Sequence, residues 1–122
     1  MNDNRLMVEH LRKSVNEYPD IIKGIEKLEI VEEEPVSKLK VKFSLFDGTV
    51  LYVREVRINE RIESYSYYWL RRDETLIIGW DNAPHHQVVD SFPHHKHIKG
   101  KIEISHERDL KGVLAFIKAF LG

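Results

Sequence analysis

The sequence predicts an α+β fold: an antiparallel sheet of about five strands in meander order, with an N-terminal and a C-terminal helix on one face. Three observations carry this. Helix-like apolar spacing occurs near both ends of the chain. Between them, segments with two-residue alternation follow one another. The connections between those segments are short, which favours antiparallel neighbours.

Taken in order, residues 4–18 read as a helix, with Met7, Leu11, Val15 and Tyr18 on one stripe. Asp3 or Asn4 can cap it and Pro19 stops it. Residues 25–33 suit a strand of imperfect alternation, broken at Pro35. The run Lys38-Leu-Lys-Val-Lys-Phe-Ser-Leu-Phe46 alternates strictly. Leu39, Val41, Phe43 and Leu45 point inward, while Lys38, Lys40 and Lys42 form a solvated face. Asp47-Gly48 between two strand patterns is a strong hairpin signal, and 49–58 is the second arm. Residues 62–71 are the next strand, in which Tyr65, Tyr67 and Trp69 share one parity. Core packing is the preferred account of that set, over a stacking platform for bases. A turn at Arg72-Asp73-Glu74 leads into a strand over 75–80.

Periodicity stops from Asp81 to Lys101, so 81–101 reads as a long loop holding Pro84, Pro93 and Gly100. Loops beyond about 12–15 residues in a compact domain are usually functional or disordered. A short β-like stretch at 102–104 follows. Ser105 is then placed as the cap of a last helix, with Glu107 and Asp109 in its first turn. Leu110, Val113, Leu114, Ile117 and Leu121 form its apolar stripe.

The whole is expected to be one domain of 122 residues. With 42% apolar and 32% charged residues, composition excludes a disordered chain. A net charge of −1 excludes a global basic field of the kind that attracts nucleic acid. The absence of cysteine removes disulfides, thiolate metal sites and a cysteine nucleophile together. The polar start, Met1-Asn-Asp-Asn-Arg5, and the shortness of every apolar run predict a cytoplasmic protein without a membrane span.

Chemistry is expected where the periodicity stops. Of seven histidines, five fall between positions 85 and 97: His85, His86, His94, His95 and His97. A purely structural loop, its imidazoles capping backbone groups and stacking on Pro and Trp, is one account. Three functional accounts compete with it. A divalent metal can be bound by His95 and His97 with His85 or His86 and Asp81. Metal-free acid–base chemistry can use two imidazoles across a phosphate, and needs no cofactor. Phosphate can be bound without catalysis, because five histidines and Lys96, Lys99 and Lys101 stand against Asp90 alone between 85 and 101. Metal-free chemistry is preferred, because the spacing matches no standard zinc motif.

The runs Tyr65-Ser-Tyr-Tyr-Trp69, Trp80-Asp-Asn-Ala-Pro-His-His86 and Phe92-Pro-His-His-Lys-His97 resemble the TumE family over residues from about 38 to 118. The resemblance implies the growth-inhibiting toxin of a prokaryotic type II toxin–antitoxin pair, held by a helix-turn-helix, TumA-like antitoxin. Asp81, Asn82, His85, His86, His94, His95 and His97 occupy the family motif. Action on RNA, as a ribonuclease, is an analogy with other toxin families. In that reading, proton transfer falls to two of His86, His95 and His97, and transition-state charge to Lys96. Asp81 and Asn82 orient the loop, and His85, His94 and Lys99 bind phosphate or metal. The alternatives are a non-enzymatic regulatory module that binds nucleic acid or protein, and a metal-dependent phosphodiesterase. A homo-oligomer is left open. Substituting His95 or His97 is expected to abolish growth arrest while leaving the fold intact.

Overall fold

The computed structural model describes residues 4–84, 92–106 and 108–121. Among these the chain forms α1 (Asn4–Glu17), β1 (Ile22–Glu33), β2 (Val36–Leu45), β3 (Val50–Ile58), β4 (Arg61–Leu70), β5 (Leu76–Asp81), β6 (His95–Ile98), β7 (Lys101–Ile104) and α2 (Leu110–Leu121). The strands make one antiparallel meander in the order β1-β2-β3-β4-β5-β6-β7. Asp3, His85, His86, Asp90, Glu107 and the Met7 side chain, all singled out in the sequence, lie outside the described residues and side chains.

The turns explain the meander. Asp47 Oδ1 accepts from the Thr49 backbone N–H and hydroxyl, at 3.0 and 2.6 Å, and Gly48 takes a positive φ of 89°. Asn59-Glu60 and Lys99-Gly100 each place two positive-φ residues between paired strands, as tight hairpins require. The imperfect alternation of β1 comes from two register irregularities against β2, between Ile22 and Gly24 and between Ile25 and Lys27.

One face of the sheet is covered by helices. Leu39, Val41, Phe43, Leu51, Val53, Tyr65, Tyr67, Trp69, Ile78 and Trp80 are buried there with Leu11 of α1 and Leu110, Val113, Leu114 and Ile117 of α2. Tyr65, Tyr67 and Trp69 are thus core residues and not a platform for bases. Trp80 and Trp69 meet Phe116 and Phe120 edge-on, with centroids 5.3 and 5.2 Å apart. The Lys111–Glu17 ion pair, at 3.4 Å, joins the two helices.

The sequence expectations differ from the structure at three places. The stretch 81–101 is not loop throughout, since His95–Ile98 form β6; with β7 this makes seven strands rather than about five. Asp109, not Ser105, caps α2: its Oδ1 accepts from Gly112 N at 2.8 Å, while Ser105 Oγ donates to the His106 carbonyl. Leu121, expected on the apolar stripe, is exposed.

Candidate functional site: an Asp–His centre on the open face

Residues directly opposite each other in an antiparallel ladder share a face. That rule builds two rows across the helix-free side of the sheet. The first runs Glu29, Lys40, Arg54, Ser66, Asp81, His95 and Ile104. The second runs Lys27, Lys42, Tyr52, Tyr68, Gly79, His97 and Ile102. Cations dominate the β1–β3 end and imidazoles the β6 end. Between them lies a groove of about 460 Å³ lined by Lys27, Lys40, Lys42, Tyr52, Arg54, Ser66 and Tyr68, among others. Glu29 also lines it, and Lys42 is paired with Glu26 at 3.0 Å. The lysine face of β2 is therefore one wall of a groove.

Asp81 ends β5 and is buried. Its Oδ1 lies 2.6 Å from His95 Nε2 and its Oδ2 lies 3.0 Å from His97 Nε2. Tyr68 Oη donates to Oδ2 at 2.8 Å, and the Ala83 backbone N–H donates to Oδ1 at 3.1 Å. His95 is buried, and its Nδ1 lies 2.9 Å from the Pro93 carbonyl. A carbonyl only accepts, so Nδ1 carries the hydrogen and Nε2 is the atom turned toward Asp81. His97 is the more open member, its side chain 24% exposed. Burial, and after it the bond to Asp81, push the Tyr68 hydroxyl up to about 12, so it remains a donor through the neutral range.

Tyr68 reaches Asp81 because Gly79 stands opposite it. A Cβ on Gly79 would sit 2.3 Å from the Tyr68 ring, so only glycine lets the ring lie down over β5. The ring also meets His97 edge-on, with centroids 6.2 Å apart.

The remaining predicted residues fall elsewhere. Asn82 fastens β5 to β4: its Oδ1 accepts from Tyr65 N at 2.9 Å and its Nδ2 donates to the Glu63 carbonyl at 3.1 Å. His94 stacks on Tyr65 and meets its hydroxyl through Nδ1 at 2.9 Å. Lys96 pairs with Trp80, which places it on the helix side, opposite His95 and His97. Lys99 is exposed in the β6–β7 hairpin. His95 and His97 do not flank a gap of phosphate size: both turn to one carboxylate, with ring centroids 4.9 Å apart. Tyr68, Gly79 and the groove cations were not singled out as site residues from the sequence. Their signal was parity, since Lys40, Lys42 and Tyr68 alternate with residues that belong to the core.

Fold and site together define a small α+β protein whose basic open face ends on an acid–imidazole centre. The family model described as Toxin TumE matches residues 11–121, and the chain belongs to the TumE toxin family. It is accordingly a toxin of a toxin–antitoxin system, a class that works with an antitoxin partner. No curated protein and no solved structure matches it. Among the described residues no helix is long and apolar enough to cross a membrane.

Proposed function

We propose that this toxin arrests growth by binding single-stranded RNA along the helix-free groove and cleaving it at the Asp81–His95–His97 centre. The observation that carries the reading is the continuity of the two rows: cations and tyrosines at one end, Asp81 and two imidazoles at the other. A channel of cations tracks a phosphodiester backbone, and Tyr52 and Tyr68 give bases an aromatic surface. Net charge does not advertise this, because the acids are spread over the chain while the groove concentrates Lys27, Lys40, Lys42 and Arg54. His85, His94 and Lys99 are assigned to phosphate binding in this reading. His86 remains assigned to proton transfer, whereas Lys96, on the helix side of β6, does not face the centre and has no transition-state role.

The antitoxin, a helix-turn-helix protein of the TumA kind, neutralises by covering this centre in the cytoplasm of a prokaryotic cell. Strand β7 supports that placement. Ile102 and Ile104 are exposed apolar side chains directly across from His97 and His95, on an edge strand open to pairing.

The test is anisotropy with labelled single-stranded RNA, followed by gel analysis of the same samples. Binding that falls with salt and is lost in Lys40→Gln/Arg54→Gln, with cleavage lost in Asp81→Asn, is expected. Intact RNA with retained binding would convert the reading to a non-enzymatic binding module. Absence of binding would remove RNA as the target.

A further inference from the structure

We infer that Asp81, His95 and His97 form a binding site for one divalent transition-metal ion, of which zinc is the probe of choice. The inference deepens the RNA reading by naming what the centre holds. Its test uses no RNA for the metal itself, so either can fail alone.

The donor atoms converge. One oxygen of Asp81 and one ring nitrogen from each histidine all lie within 4.8 Å of one another. They come from two neighbouring strands whose register is fixed, since Asp81 is the direct partner of His95 and His97 stands two residues along on the same face. Strand-borne ligands of this kind are held by the sheet rather than by a loop.

His95 and Asp81 are each oriented by a second contact, the arrangement that metal-binding side chains require. The Pro93 carbonyl accepts from His95 Nδ1, which turns Nε2 toward Asp81. At 2.6 Å from a carboxylate oxygen, that nitrogen calls for a cation between or beside the two atoms. A proton can serve as that cation, and so can a metal ion. Tyr68 and the Ala83 N–H hold one oxygen of Asp81 each, so the carboxylate cannot rotate away. Two imidazoles and one carboxylate form a borderline donor set that suits zinc, nickel, copper or iron and not magnesium or calcium. Among the described residues three protein ligands converge, and His97 is the one of them that reaches solvent.

The experiment uses the full chain, dialysed against EDTA and then freed of chelator. Calorimetric titration with zinc should show one ion per chain, and the melting temperature should rise with added zinc. Magnesium should do neither. His97→Ala and Asp81→Asn should each weaken zinc binding at least about tenfold, while His10→Ala, at an exposed position of α1, should leave it unchanged. His97 is partly open, so His97→Ala keeps the test valid if Asp81→Asn fails to fold. Cobalt should give visible absorption in the parent chain and lose it in His97→Ala. Zinc binding weaker than about 1 mM, a free energy of only about 4 kcal/mol, would overturn the inference. Unchanged affinity in His97→Ala would overturn it too. Zinc binding by a chain that binds no RNA would keep the metal site and remove the RNA reading; RNA cleavage by a chain that takes up no metal would do the reverse.

Discussion

Glu55 and Asp81 are two buried carboxylates built to the same local recipe and put to different ends. Each accepts a hydrogen bond from a tyrosine of β4, Tyr67 for Glu55 at 2.6 Å and Tyr68 for Asp81 at 2.8 Å. Successive residues of a strand point to opposite faces, so these two tyrosines serve the two sides of one sheet. On the helix side Glu55 also takes Arg57 Nε and Nη2 on one oxygen, at 3.3 and 3.0 Å. Its charge is met by a permanent cation. On the open side Asp81 meets two imidazoles, whose charge depends on protonation or on a bound ion. The difference is between a closed ion pair within β3, tied to β4 by the Tyr67 hydroxyl, and a centre whose partners are titratable imidazoles. A buried carboxylate is a functional candidate when its partners are exchangeable.

The largest expected effect lies on the closed side. Glu55→Ala leaves Arg57 and Tyr67 without their common acceptor, and breaking a buried pair costs about 3–5 kcal/mol. Chemical denaturation should show this as a lower midpoint with little change in slope. A loss under about 1 kcal/mol would mean that the pair is solvated and that the two sites are alike.

Next is loss of toxicity on the open side. His97→Ala should lower any RNA cleavage rate by about 100-fold or more, as loss of a proton-transfer or metal-binding group does, with stability within about 1 kcal/mol. Growth arrest on induction should vanish with it. The sequence expectation that His95→Ala would be equally silent for the fold does not hold. His95 is 1% exposed, inside β6, and its removal deletes contacts to Asp81 and Pro93, so a measurable fall in melting temperature is expected. Full growth arrest by a folded His97→Ala chain would detach the centre from function.

How far the two sides were legible in the sequence follows from what each residue type signals. The strict alternation of 38–46 and the Asp47-Gly48 turn fixed β2, β3 and their hairpin, because apolar parity and turn chemistry are local. Glu55 was legible in principle: it continues the inward parity of Leu51 and Val53. Strand β6 was not. His95-Lys-His-Ile98 has no apolar alternation, and its extended form comes from pairing with Gly79, Trp80 and Asp81, a non-local contact. The histidines announced a site, but which of them meet depends on that pairing. Parity within β6 sends His95 and His97 to one face and Lys96 to the other.

Gly79→Ala tests the link between Tyr68 and Asp81. A methyl 2.3 Å from the Tyr68 ring forces the ring off β5, a steric conflict of the overpacking kind worth about 1–3 kcal/mol. RNA cleavage should fall with it, whereas Tyr68→Phe, which keeps the ring and removes only the hydroxyl, should cost about 1 kcal/mol. Equal behaviour of Gly79→Ala and the parent chain would mean that Tyr68 is free to move without consequence.

The alkaline limb separates the two tyrosines. Burial first, and then the Glu55 charge and hydrogen bond, hold the Tyr67 hydroxyl far above its ordinary value near 10. Its neutral form is thus favoured in the folded chain. Above pH 10 the unfolded chain releases the proton while the native chain keeps it, so the stability this gives is full below pH 10 and falls as pH rises through the folded value. The expected slope is about 1.4 kcal/mol per pH unit for one proton. Tyr67→Phe should be less stable at neutral pH but flatter above pH 10, as read by denaturation at a series of pH values. An unchanged slope would place the alkaline sensitivity elsewhere.

The smallest effect expected belongs to the groove, where the same comparison reads in charge alone. Lys40 and Arg54 are cross-strand partners on the open face, and both are exposed. Neutralising exposed side chains changes stability by no more than about 0.5 kcal/mol. A single-strand phosphate contact, however, carries a salt slope of about 0.7 per charge. Lys40→Gln should therefore weaken single-stranded RNA binding only a few-fold at physiological salt, and flatten the plot of log affinity against log salt by about 0.7. Lys38→Gln is the paired control. Its side chain is on the same face but is not among the groove's lining residues, so its slope should match the parent's. Equal flattening in both variants would mean that RNA reads the general lysine face of β2. Flattening in Lys40→Gln alone would trace the strand along the row Lys40, Arg54, Ser66 and Asp81 that leads to the histidines.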